Sequence, residues 1–177
     1  MFLVAAGFDG FLRTREMLSL TFADVKTDAK GGGVISLAHT KVGQQNAAFE
    51  ASVMLDPIVP ALYARAVAAV PAGTSPDFYI FAGSEARFYA LFTEALEALG
   101  LGHLGFRPYS LRRGGATAFY RATRNMSATI ERGRWATVRV ARIYINDGLA
   151  KEVEISIPEL LLRHLRLRAE ALICAMQ

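Results

Sequence analysis

The stretch Phe106–Ile145 holds nine arginines, one acidic residue (Glu131) and no lysine, with Tyr109, Tyr120, Trp135 and Tyr144 set among them. Guanidiniums at that density, with few carboxylates nearby to neutralise them, suit a surface that grips phosphates through planar, paired donors. A solvated helix face would instead mix Lys with Glu at i,i+4 spacing. Two smaller constellations lie upstream. Arg13 and Glu16 are three apart and share a helix face; taken alone they make an ordinary surface ion pair worth a few tenths of a kcal/mol. Lys41 stands at the tip of a hairpin, where an ammonium is most often just solvated but has the reach to enter a neighbouring cleft as a proton donor.

These residues must be positioned by the elements around them. Met1–Phe8 reads as a buried helix broken by Asp9-Gly10. Phe11–Leu20 reads as a helix with Thr14 as N-cap and an apolar stripe of Leu12, Met17, Leu18 and Leu20. Val25–Leu55 changes period: turns at Gly31-Gly32-Gly33 and Val42–Gln45 separate strand-like runs, which predicts a small antiparallel sheet of three strands. Asp56-Pro57 opens a helix to about Val70, and Ser84 caps another that ends at Gly100. In the basic stretch, Tyr109–Arg121 is helical despite Gly114-Gly115. Two glycines cost about 1 kcal/mol each there against alanine, which points to another backbone, or a ligand's, coming close. Ser127–Arg132 is a short helix ended by Gly133, Trp135 lies in the following turn, and Thr137–Ile145 resumes helix. Asn146–Ser156 reads as an irregular linker before a last amphipathic helix, Ile157–Met176.

Composition bounds the possibilities. At 177 residues, 53% hydrophobic and with a mean hydropathy of +0.26, the chain suits one domain with ample core and is not disordered. No apolar run approaches the roughly eighteen residues that span a bilayer, so no membrane partner is expected. Met1–Phe8 lacks a basic flank and closes too early for a signal peptide. One cysteine, Cys174, excludes an internal disulfide framework, and His39, His103 and His164 give no metal-ligand spacing. Residues 1–100 hold 7 Lys/Arg and 10 Asp/Glu, whereas 101–177 hold 13 and 6. A basic second half joined to a near-neutral first predicts a polyanion partner gripped by the second half.

Set side by side, these pieces resemble the catalytic domain of the tyrosine recombinases, the phage-integrase family, from about Met1 to Ile145. FLRTREMLSLTFADV looks like that family's first arginine box, so Arg13 matches the first catalytic arginine and Glu16 its supporting acid. HTKVG looks like the hairpin box whose lysine falls on Lys41. PYSLRRGGAT looks like the second box, normally His-x-x-Arg, so Arg112 matches the second arginine and Tyr109 stands where the family usually has His. RGRWATVRVARIYI looks like the third box, in which His or Trp precedes the nucleophilic tyrosine by nine residues: Trp135 and Tyr144. Each box alone is weak, and Trp135 or Tyr144 taken singly reads as core. Four boxes in register are specific.

The resemblance implies an α+β fold, mostly helical with a small three-stranded antiparallel sheet, spanning 1–156. The helix over 157–177 either packs at home or docks on a neighbouring subunit. The family's separate N-terminal core-binding domain has no counterpart before Met1, so the expectation is a catalytic domain without it. Implied chemistry is DNA strand transfer through a 3′-phosphotyrosyl link, with no metal, ATP or other cofactor. Tyr144 would be the nucleophile, Arg13 and Arg112 the phosphate clamp and Lys41 the proton donor to the leaving oxygen. Trp135 would hold the phosphate and exclude water. A phenol has a reference pKa of about 10 against about 6.5 for imidazole, so Tyr109 suits a hydrogen-bond donor better than a base. Arg113, Arg134 and Arg139 are expected to contact the DNA backbone. The implied partners are double-stranded DNA and further copies of this chain, in an intracellular DNA-containing compartment. A DNA-binding remnant that has lost turnover is the competing reading; a type IB topoisomerase would share the chemistry but fits the box spacing and trailing helix less well.

Overall fold

The computed structural model describes residues 1–37 and 50–175. Lys41 and the tip of the hairpin that carries it lie outside the described residues, as do residues 176 and 177. Helix α1 (Phe2–Asp9) is apolar on every side, and a helix of that kind belongs in the interior. It packs against α2 (Thr14–Leu18), α3 (Ile58–Ala68) and α5 (Pro108–Thr123). Helix α4 (Glu85–Ala98) adds Phe88 to the same core.

The expected three-stranded antiparallel sheet is present, in the order β1 (Val25–Thr27), β2 (Gly33–Leu37), β3 (Glu50–Met54). Its register runs Val25↔Ile35 on one side of β2, and from Gly33↔Met54 to Leu37↔Glu50 on the other. Strand alternation sends Ile35, Leu37, Ser52 and Met54 inward, and the apolar ones among them join Phe2, Leu3, Leu12, Met17 and Val59 in the larger core. A second, smaller core gathers Phe11, Ala116, Trp135 and Ala141. It is built from α5, α6 (Met126–Gly133) and α7 (Val138–Tyr144). An open apolar cleft of about 1110 Å³ runs beside α1, α3 and α4 and includes Leu172 of the last helix.

Four local expectations are corrected. The arginine-box helix is shorter than Phe11–Leu20 because Phe11 adopts a left-handed backbone (φ 49°). Thr14 is its first helical residue, not its cap. Arg13 holds the cap position, and its backbone N–H donates to Glu16 Oε2 at 2.8 Å. Gly133 does not terminate α6 but is its last helical residue, and Arg134 takes the left-handed position after it (φ 54°). Glycine is required at 133 for another reason: a Cβ there would lie 2.4 Å from the Trp135 ring. Lastly, the irregular linker is helix α8 (Asp147–Ser156). The Asn146 side chain caps it by accepting the Leu149 N–H at 2.9 Å, and Arg121 binds Asp147 and Glu154. Asp147-Gly148 has the composition of a turn, but a cap and two ion pairs outweigh one glycine. Helix α9 (Glu159–Cys174) follows, with Leu160, Leu167 and Ile173 exposed.

Of the glycine pair in α5, Gly115 is explained by the close backbone that the sequence suggests, and Gly114 is not. A Cβ on Gly115 would sit 1.9 Å from the carbonyl oxygen of Phe8, whereas one on Gly114 would meet only the Phe8 ring at 3.1 Å. Gly115→Ala should therefore force α1 and α5 apart and cost about 3 kcal/mol. Gly114→Ala should fall within about 1 kcal/mol of wild type, helix propensity offsetting the tight ring. Urea unfolding of the two variants checks this; equal losses would contradict the packing described.

Candidate active site

Helix α5 buries Pro108, Arg112, Gly115 and Ala116, one stripe at helical spacing. Arg112 thus occupies a core position and is 0% exposed. A buried guanidinium must have its donors satisfied. Its Nη1 donates to the carbonyl of Phe11, and its Nη2 donates to that of Gly133 at 2.7 Å. The carbonyl of Phe11 is turned to this task by the left-handed backbone, and the Phe11 ring is held by Phe119 and Trp135. Of five guanidinium N–H groups, two are used by these carbonyls. The Nε has no hydrogen-bond partner among the described residues.

Glu16 is the carboxylate around which the arginines gather. Its Oε1 binds Arg13 Nη1, while its Oε2 accepts from Arg13 N and, at 2.9 Å, from Arg134 Nη2. Arg112 Nη1 stands 4.0 Å from Oε2. Burial pushes the Glu16 carboxyl up, but Arg134, the Arg13 N–H and the Arg13 guanidinium outweigh it and hold it below the usual range. Arg112 is lowered to about 10, by burial first and then by Arg13 and Arg134, and so remains a cation at neutral pH. Arg13 is the exposed member, with its side chain 43% accessible.

The aromatic residues lie against the Arg112 guanidinium. Trp135 and Tyr144 stack with ring centroids 4.7 Å apart, and the Arg112 carbon is 5.1 Å from each ring. Trp135 is buried between Phe11 and Tyr144, and its Nε1 has no partner among the described residues. Tyr144 ends α7 and is half-buried; its carbonyl accepts from the Thr117 hydroxyl at 3.3 Å, which in turn accepts the Asn146 N–H at 3.2 Å. Tyr109, one turn before Arg112 on α5, has its ring 6.0 Å from that of Tyr144. Burial, then its interaction with the Tyr144 phenol, pushes Tyr109 up to about 12. It keeps its proton at neutral pH and is a donor.

Arg13, Glu16, Arg112, Tyr109, Trp135 and Tyr144 are thus brought together from three helices, α2, α5 and α7, and a turn. Arg139 is exposed on α7 and Arg113 half-buried on α5. Arg134, expected to face DNA, turns inward: its side chain is 8% exposed and its guanidinium serves Glu16, the carbonyl of Gly10 and, more loosely, Glu50. Several other arginines of the basic stretch are likewise held by the protein. Arg132 binds the carbonyl and carboxylate of Asp9, and Arg121 and Arg124 bind Asp147. The spacing of charges along the chain carries no signal for these pairs. Among the described residues no group of His, Cys, Asp and Glu could hold a metal ion, and no helix is long and apolar enough to cross a membrane.

A group whose folded pKa is depressed stabilises the fold above its unfolded pKa and loses that contribution as pH falls through the folded value. Glu16→Gln should therefore lower stability near neutral pH by about 3 kcal/mol, since it strips the counter-charge from buried guanidiniums. The gap to wild type should close as pH falls through the carboxylate range, where Glu16 itself becomes neutral. Chemical denaturation at a series of pH values reads it out; a gap that stays constant would show that Glu16 acts through shape alone.

No family model matches the sequence, and no curated protein sequence matches it. Solved structures do. Two are similar over most of this chain: the XerH site-specific recombinase bound to difH substrate in a pre-cleavage complex (18% identity, TM-score 0.64, 87% of this chain), and the same recombinase on a palindromic difH substrate in a post-cleavage complex (19%, 0.61, 88%). This chain spans 44% of the length of each. At that identity the likeness is one of fold, and the fold is that of a tyrosine recombinase catalytic domain.

Proposed function

We propose that this chain is the catalytic domain of a site-specific DNA recombinase or integrase that breaks and rejoins double-stranded DNA through Tyr144. The observation that carries this reading is the Tyr144 ring packed on Trp135 within 5.1 Å of the buried Arg112 guanidinium, beside the Arg13–Glu16 pair. Tyr144 gives its phenolic proton to solvent as its Oη attacks the scissile phosphorus, forming the 3′-phosphotyrosyl bond as the 5′-oxygen leaves. Charge grows on the non-bridging oxygens, where guanidiniums fixed in advance stabilise it most. Arg112 is anchored through two carbonyls and Arg13 through Glu16, so neither must reorganise during the reaction. Trp135 offers its indole N–H to the phosphate, and its ring shields the covalent link from water. Lys41 protonates the leaving oxygen, a role resting on the sequence resemblance. Tyr109 donates a hydrogen bond. The energy of the broken bond is kept in the protein–DNA link, so the reaction needs neither ATP nor a metal.

The fold's DNA-bound neighbours support double-stranded DNA as the partner and a DNA-containing compartment as the place of action. Arg113 and Arg139 supply backbone contacts. The exposed apolar residues of α9 support assembly of several copies on DNA, with that helix docked on a neighbour. One observation favours a second reading, a DNA-binding remnant without turnover: the phenol of Tyr109, raised to about 12, stands where a proton acceptor would serve.

A nicked duplex whose cleaved fragment diffuses away separates the two. Wild type should accumulate a covalent adduct and Tyr144→Phe none; binding without adduct from wild type would establish the remnant. Arg13→Ala should lose cleavage by about 100-fold or more while still binding DNA. Arg112→Ala is the less clean variant, because it also orphans the carbonyls of Phe11 and Gly133. Deleting residues 158–177 should reduce the size of the complex on DNA in sedimentation, and an unchanged complex would place the assembly contact elsewhere.

A further inference from the structure

We propose that Arg134 is a positioning residue of this site: it neutralises Glu16 and Glu50, so that Arg13 and Arg112 keep their charge for a phosphate. The identity of that phosphate rests on the proposed function; the charge balance does not. Arg134 Nη2 lies 2.9 Å from Glu16 Oε2, and its Nε lies 3.5 Å from Glu50 Oε2. Both carboxylates are largely withdrawn from water, with side chains 7% and 18% exposed.

The backbone is the second argument. Arg134 sits at φ 54°, a left-handed conformation that costs an L residue about 1–2 kcal/mol and costs glycine nothing. A side chain retained against that strain points to a task. From this position the guanidinium reaches back across the chain to the arginine-box helix, and also to Glu50, paired with Leu37 at the end of the described β2–β3 ladder farthest from Gly33↔Met54.

Counting charges gives the consequence. Among the described residues of the cluster, Arg13, Arg112 and Arg134 bring three positive charges against two negative ones from Glu16 and Glu50, a surplus of one. Without Arg134 the sum is zero. Arg13 already touches Glu16, and Arg112 Nη1 is 4.0 Å from it. In a site of low dielectric the two carboxylates would claim these guanidiniums and leave nothing to hold an incoming anion. Arg134 does not touch the phosphate; it acts through the acids that would otherwise compete for Arg13 and Arg112.

The test compares the whole chain with Arg134→Gly, Glu50→Gln and the double variant. Glycine suits the left-handed backbone, so Arg134→Gly removes the guanidinium without adding strain, and circular dichroism reports the fold. Adduct formation on the nicked duplex should fall on the order of 10- to 100-fold in Arg134→Gly. The double variant should recover most of that loss, because Arg13 and Arg112 against Glu16 restore the surplus of one. A residue that only glued the turn in place would leave the double variant no better than the single. Unchanged adduct yield in Arg134→Gly, or no recovery in the double variant, overturns the proposal. Should Arg134→Gly fail to fold, Glu50→Gln alone decides: yield at or above wild type supports the charge balance and a loss refutes it. If wild type forms no adduct, the proposed function fails, and Arg134 is judged by inorganic phosphate instead. Phosphate should raise the thermal midpoint of wild type and the double variant but not of Arg134→Gly; equal rises in all three would refute it.

Discussion

The site depends on one shared carboxylate. Glu16 is buried, and it binds Arg13 through one oxygen and Arg134 through the other, with Arg112 at the edge of its reach. Each of these ions would be costly to bury alone, by several kcal/mol. Together they are tolerable, and the arrangement keeps more positive charge than negative. That imbalance is what an anion-binding site requires, and Tyr144 and Trp135 are packed directly on its most deeply buried cation.

The backbone is bent to serve this cluster. Phe11 and Arg134 both occupy the left-handed region, each at a cost of about 1–2 kcal/mol. In return the Phe11 carbonyl meets Arg112, and the Arg134 side chain is aimed at Glu16. The strain is sustained because both residues are locked by packing: Phe11 lies between Phe119 and Trp135, and the Trp135 ring folds over Gly133. The second core therefore packs α5, α6 and α7 together and also holds the aromatic walls of the site against the guanidinium. Arg132, bound to Asp9 with its guanidinium over the Phe11 and Phe119 rings, ties the end of α1 to the same cluster.

Much of this was readable in the sequence, and the part that was not has a common cause. Helix and strand periodicity led to the three-stranded sheet and to most of the helices. The order of the boxes singled out Arg13, Glu16, Arg112, Trp135 and Tyr144, whose side chains meet. Arginine density was a coarser signal. It pointed to a surface that grips phosphates without separating the arginines held inside: Arg134 is spent on Glu16, 118 positions away, and Arg132 on Asp9, 123 positions away. Pairs at such separations leave no trace in i,i+4 spacing. Arg134 turns inward for a related reason: the buried acid that claims it lies on a distant helix, and only the fold brings the two together. Asn146–Ser156 likewise reads as an irregular linker, because Arg121, which supplies the contacts that hold α8, comes from a distant helix.

In the proposed strand transfer this cluster surrounds a scissile phosphate. A crystal structure of the chain on a nicked duplex with vanadate standing in for the phosphoryl group tests it most directly. Vanadium should be bonded to Tyr144 Oη, with its equatorial oxygens accepting from Arg13, Arg112 and the Trp135 indole. Vanadate bound away from Arg112, or Tyr144 still stacked on Trp135 with no bond to it, would contradict the account.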